Sequence, residues 1–188
     1  MTRFLLVAAL LPIQLQGQQV SAAQSPPNRV AQTFKAFGRP YGAWLLAAFE
    51  SIPASSYDYR PTPVQQSVGY IAQHLEDANY QLCERFGTTS RVVTAKDSLA
   101  DTIKAQWPKD TLIARLRSSL VFCGDMIDRL TDASLADTLM AGPAGAQQPV
   151  TRARYLVLLV TDLAEHYAQL AAYMRILGLV PPSALPPP

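Results

Sequence analysis

Leu156, Leu159, Leu163, His166, Leu170, Tyr173 and Leu177 recur in alternating steps of three and four. Over Tyr155–Pro182 that spacing lays one apolar seam along a long helix. Gly178 supplies its C-terminal stop, and Pro181 and Pro182 prevent continuation. Three earlier stretches carry the same period. Val30, Phe34, Phe37, Tyr41, Trp44 and Ala48 form a seam from about Arg29 to Glu50, with Pro40 expected to kink or split that helix. In the second, Thr62 reads as N-cap, Pro63 as first helical residue and Gln65 as capping-box partner, ahead of Val64, Val68, Ile71, Leu75, Ala78 and Leu82. In the third, Ile113, Leu116, Leu120, Cys123, Ile127 and Leu130 follow a stop at Pro108 and a candidate cap at Asp110. Four such helices make an all-α protein, a four-helix bundle over residues 24–182.

Thr88–Lys109 is a long connection containing a short helix from Ser98 to about Trp107. It is long enough to cross the bundle between helices two and three. A helical turn at Ala133–Leu139 and the loop AGPAGAQQP lead to Thr151, the expected cap of the fourth helix. The Pro-rich tail at 183–188 is expected to be disordered.

The N-terminus reads as a targeting segment. Arg3 precedes the apolar run FLLVAALLPI, and small residues follow in VSAAQS. Residues 1–23 therefore read as a secretory signal peptide, an uncleaved anchor being the alternative, with no stable membrane span after cleavage. The mature domain is then exported, to the periplasm or the outside of the cell. Export bears on the two cysteines, Cys83 and Cys123. One reading is a disulfide clipping two helices; the other is an inert buried thiol at Cys123. The formal net charge is +2 with no basic stripe, so nothing points to nucleic acid.

Both histidines of the chain, His74 and His166, fall on buried faces, and Asp162 lies one turn before His166. A buried imidazole and a buried carboxylate each need a partner, and a metal ion serves both. His74, Asp162 and His166 would form a two-histidine, one-carboxylate site with positions left open. Zn, Ni, Mn and Fe(II) are all chemically admissible. The alternative is an ordinary pair of core histidines. Glu165 and Tyr173 are candidate supporting residues, with solvation and core packing as their plainer roles. Glu76 and Asp77 read as polar-face residues, Arg175 as solvent-facing, and Asp58 and Arg60 as loop-fixing.

The segments DYRPTPVQQSVGYIAQHLEDANYQLC, LIARLRSSLVFCGDMIDRL and AEHYAQLAAYMRILGLVPP together resemble the DinB family of metal-binding bundles, across nearly the whole mature chain. The resemblance implies an up-down-down-up order of the four helices, with a long crossover after the second. It implies one divalent metal on three histidines: one in helix two, where His74 matches, and an H-x-x-x-H pair in helix four, where His166 matches the last. Asp162 stands at the middle position, so this chain has D-x-x-x-H. A carboxylate there lowers the site charge by one and disfavours the softest metals. The functional expectation is a metal-dependent enzyme of thiol-transferase or hydrolase type acting on a small-molecule substrate. The alternative is a non-catalytic bundle with a degenerate site, in which Asp162 simply pairs with His166. Homodimerisation through a helix face is a further expectation.

Overall fold

The computed structural model describes residues 28–186, so the expected signal peptide at 1–23 lies outside the described residues. The chain is mostly helical: α1 (Arg29–Ser51), α2 (Val68–Cys83), α3 (Asp101–Lys104), α4 (Lys109–Asp128), α5 (Asp132–Ala136) and α6 (Arg152–Ile176). It is not all-α. The helical turn expected near Ala133–Leu139 is formed by α5, and a two-stranded antiparallel hairpin, β1 (Thr138–Ala141) and β2 (Gln148–Thr151), takes up its end and the stretch expected as a loop. Leu139 pairs with Val150, and these are the half-buried pair of the ribbon.

Four helices are long, and named contacts fix how they lie. Glu76 meets Arg115, Asn79 meets Ser119 and Cys83 meets Cys123, so α2 and α4 run side by side in the same direction. Tyr173 meets Gln66, His166 meets His74 and Arg152 meets Phe86, so α6 runs opposite to α2. α1 and α4 are clasped at both ends. The Lys109 ammonium donates to the Glu50 and Ile52 carbonyls at 2.7 and 2.8 Å, and Lys35 donates to the Asp128 carbonyl at 2.9 Å. Each lysine places positive charge at the C-terminal end of the other helix, where unpaired carbonyls and the helix dipole favour it. Asp132 accepts from the Val30 and Ala31 amides at 3.2 and 2.8 Å, completing the clasp at the start of α1.

The buried centre is Leu45, Phe49, Ile52, Ile71, Leu75, Leu112, Leu116, Leu156, Leu159, Leu170 and Met174. The α6 seam is buried as far as Tyr173, and α6 stops as its sequence dictates. Gly178 takes φ 74°, its amide donates to Arg175, and the Leu179 amide donates to Met174 at 2.8 Å.

Local expectations are corrected in three places. The face of α1 is partly shifted: of the expected seam Ala48 is buried and Phe34, Tyr41 and Trp44 pack half-buried against the core, but Val30 and Phe37 are more than half exposed, and Ala31, Leu45 and Phe49 are buried beside it. This helix carries two apolar stripes. The aromatic one lies along the edge, where Tyr41 and Trp44 pack against Tyr167 with ring centroids 6.2 and 5.3 Å apart. α1 also runs unbroken through Pro40. Second, α2 starts at Val68, one turn later than expected, capped by Ser67, and Val64 is exposed. The Val68 and Gly69 amides pair with the Tyr59 and Tyr57 carbonyls, which fixes the chain's entry there. Gly69 is required at that crossing, because a Cβ would collide with the Ala105 carbonyl. Third, the tail opens with a bonded 3-10 turn, Pro182–Ala184, whose Ser183 amide donates to the Tyr167 hydroxyl at 2.7 Å.

The crossover before α4 is held by charge. α3 is shorter than expected, and α4 begins right after Pro108, so Asp110 lies in its first turn rather than at its cap. Glu76 and Asp77 do not lie on a free polar face. Glu76 is 3% exposed and takes a bidentate pair of bonds from Arg115 at 2.7 and 2.6 Å. Arg115 also binds Asp97, and Asp77 binds Lys104 and Arg91.

Candidate metal centre

α2 and α6 cross so that His74, Asp162 and His166 converge. One ligand atom from each lies within 4.8 Å of the others. The His74 Nε2 is 3.6 Å and the His166 Nε2 3.5 Å from the same carboxylate oxygen, Asp162 Oδ1. His166 and Asp162 share a face because they are one turn apart on α6. His74 meets them because the apolar neighbours Ile71 and Leu75 bury the adjoining face of α2. Side-chain exposure is graded, 35% for His74, 22% for Asp162 and 8% for His166, so the cluster opens to solvent past His74.

The electrostatics follow from that geometry. Asp162 at ion-pair distance raises the His74 imidazole above its ordinary value, against the effect of burial. Burial pushes the Asp162 carboxyl up, but His166 and His74 outweigh it and hold the group at about 2. Asp162 is therefore ionised across the working pH range.

His166 is held from behind. Its Nδ1 lies 3.2 Å from Gln169 Oε1; the Gln169 amide donates to the Tyr173 hydroxyl at 2.8 Å, and that hydroxyl donates to the Gln66 carbonyl at 3.0 Å. A proton on Nδ1 completes this chain and leaves the Nε2 lone pair facing Asp162 and His74. Tyr173 thus supports the site through Gln169. Glu165 is exposed. Gln169 and Gln66 are supporting residues that the sequence reading missed. Gln169 stands three residues after His166 and four before Tyr173, the spacing that marks one helix face.

The donor set fits a divalent cation. Ligands at roughly 2.0–2.1 Å from a tetrahedral ion stand roughly 3.4 Å apart, close to the 3.5 and 3.6 Å found here. Asp162 Oδ2 is buried without a hydrogen-bond partner among the described residues, which leaves unused ligating capacity on the carboxylate. Cys83 and Cys123 lie elsewhere: they are joined in a disulfide that ties the end of α2 to α4, with Cα atoms 5.3 Å apart.

A sequence model of the DinB superfamily matches residues 43–170. No curated protein matches the chain. Among solved structures, a conserved protein from Enterococcus faecalis superposes with a TM-score of 0.59 at 16% identity, covering 78% of this chain and 95% of that one. A DinB-like protein from Bacillus cereus gives 0.60 at 16% identity, covering 80% and 95%. The mycothiol-dependent maleylpyruvate isomerase gives 0.58 at 8% identity, covering 75% of this chain and 59% of that enzyme. At these identities the structural likeness concerns the fold. The family match spans more than half of the sequence, and the chain belongs to the DinB superfamily.

Proposed function

We propose that this DinB superfamily member is an exported metal-dependent enzyme of thiol-transferase or hydrolase type, built as an up-down-down-up four-helix bundle. One divalent ion, Zn, Ni, Mn or Fe(II), would be held by His74 Nε2, Asp162 and His166 Nε2. The observation that carries the reading is the convergence of both imidazole Nε2 atoms on one carboxylate oxygen, Asp162 Oδ1. The matching directions of α2 and α4, and the opposed run of α6, support the bundle order. The apolar run after Arg3 and the Cys83–Cys123 disulfide support export, because disulfides persist in oxidising compartments.

When bound, such an ion acts as a Lewis acid that lowers the pKa of a coordinated thiol or water. The chain's own part is to shape that site. Gln169 and Tyr173 orient His166, and Asp162 contributes a full negative charge that leaves the centre less positive than a three-histidine one. The exposed side of His74 is the approach for a small-molecule substrate. The mycothiol-dependent isomerase among the structural neighbours makes a thiol the first substrate class to try.

The cluster also supports a second reading. His74 and Asp162 already stand at ion-pair distance and perturb each other, so a non-catalytic bundle in which they pair without metal is the competing case. Cobalt substitution separates the two. Co(II) bound stoichiometrically at neutral pH should give a visible spectrum that azide changes, as expected of a centre with an open position. A spectrum insensitive to azide indicates a closed, structural ion, and no Co(II) spectrum at all favours the ion-pair reading.

A further inference from the structure

A cavity of about 370 Å³ lies between α1, α4 and α6, on a different wall from the histidine cluster. Its size falls within the range of small-ligand sites. Its body is apolar, with Leu120, Leu159 and Val160 among its walls. Three glycines shape it. Side chains at Gly38 and Gly42 would press on Val160 and Leu120, at 3.1 and 3.3 Å, so α1 sits close to its neighbours there. Gly124 differs, because a Cβ at that position would meet nothing within 4 Å. Glycine inside a helix costs about 1 kcal/mol relative to alanine, and packing gives no reason for it here. Gly124 is exposed at the rim, where it leaves the mouth of the cavity unobstructed.

The charges bordering this apolar space are unbalanced. Lys35, Arg39 and Arg117 line it, against a single acid, Asp128. Lys35 is held in place by its bond to the Asp128 carbonyl, and Arg117 pairs outward with Glu50. Arg39 is exposed.

We propose that this cavity binds a small amphipathic anion, an apolar chain or ring system bearing one carboxylate or sulfonate, with the apolar part between α1, α4 and α6 and the anionic head against Arg39 and Lys35. The assignment rests on cavity shape and charge complementarity, and is independent of the metal site.

The test uses the disulfide-intact protein with 1-anilinonaphthalene-8-sulfonate as fluorescent probe, displaced by decanoate or decanol. One saturable site per chain is expected, with near-UV circular dichroism showing that the protein stays folded. Decanoate should displace the probe at a concentration roughly three- to tenfold below decanol, the range given by a few exposed charge pairs. Arg39→Glu, a surface change, should abolish that preference. Gly124→Leu should weaken probe and decanoate at least tenfold, whereas His74→Ala should leave both unchanged. The proposal is overturned by absence of saturable binding, by equal displacement by decanol, or by indifference to both Arg39→Glu and Gly124→Leu. It is likewise overturned if sedimentation shows a second copy of the chain covering the cavity and excluding the probe.

Discussion

Replacing Arg115 by methionine should expose how the crossover is held. The guanidinium binds Glu76 by two bonds at 2.7 and 2.6 Å and also engages Asp97. The two carboxylate side chains are only 4% and 6% exposed. Arg115 also lies 4.8 Å over the ring of Trp107. Removing one partner of a buried pair costs about 3–5 kcal/mol, because the other charge stays buried. For a domain of this size that shifts Tm by roughly 6–20 °C, and it is a large share of a total stability of about 5–15 kcal/mol.

The variant should carry a pH signature. Burial raises the Glu76 carboxyl above 4.5, with Arg115 opposing, so its ionised form is a cost to the fold above that pH and the cost is relieved as pH falls. For Asp97, burial raises the carboxyl, but bonds from Thr94 and Arg115 outweigh it and hold it well below the usual range. In the native protein Asp97 therefore contributes stability above about pH 4 that is lost on further acidification. Without Arg115 both groups protonate more readily in the folded state, so the deficit of the variant should shrink between pH 7 and pH 4.5. Urea unfolding followed by far-UV circular dichroism measures this. A loss below about 1 kcal/mol at pH 7, or a deficit that grows as pH falls, would refute the reasoning. The double variant Glu76→Gln with Arg115→Met should recover part of the loss.

Other expectations follow from the same contacts. Reducing the Cys83–Cys123 bond, which spans 40 residues, should cost about 4 kcal/mol by loop entropy; unchanged urea midpoints with and without reductant would contradict this. Tyr173→Phe breaks the bonds to Gln169 and Gln66 and should weaken metal binding roughly 10- to 100-fold with the fold intact, as read by competition with a chromophoric chelator. Metal affinity should fall with acidification from a pH above 6.5, because His74 is raised and must be neutral to ligate, whereas Asp162 stays ionised. In metal-free protein the sign reverses: the raised His74 contributes stability at low pH that is lost as pH rises through its folded value. Titrations between pH 5.5 and 8 check both, and flat profiles would sink them.

The candidate site was legible because one of its residues interrupts a strict apolar period. His166 stands where a leucine would fit, Asp162 is one turn away, and His74 borders the buried face of α2. The hairpin was hidden because Gly142, Pro143 and Gly145 announce a loop, while Val150 and Leu139 alone mark its inner side. The face of α1 was ambiguous because two apolar stripes share it, and only the packing of Tyr167 decides which one is central. The roles of Glu76 and Asp77 depend on Arg115 and Lys104, 39 and 27 residues along the chain. Helical spacing reports neighbours on one helix and is silent on such partners. Gln169 shows the opposite case, a signal present in the spacing beside His166 but easily passed over in a polar residue.

Metal content of the protein, produced without a chelating tag and reconstituted in turn with Zn, Ni, Mn and Fe(II), tests the central claim most directly. The account predicts one ion per chain, lost in His74→Ala and in Asp162→Ala while both variants remain folded. Wild-type protein that retains no metal after every reconstitution would contradict it.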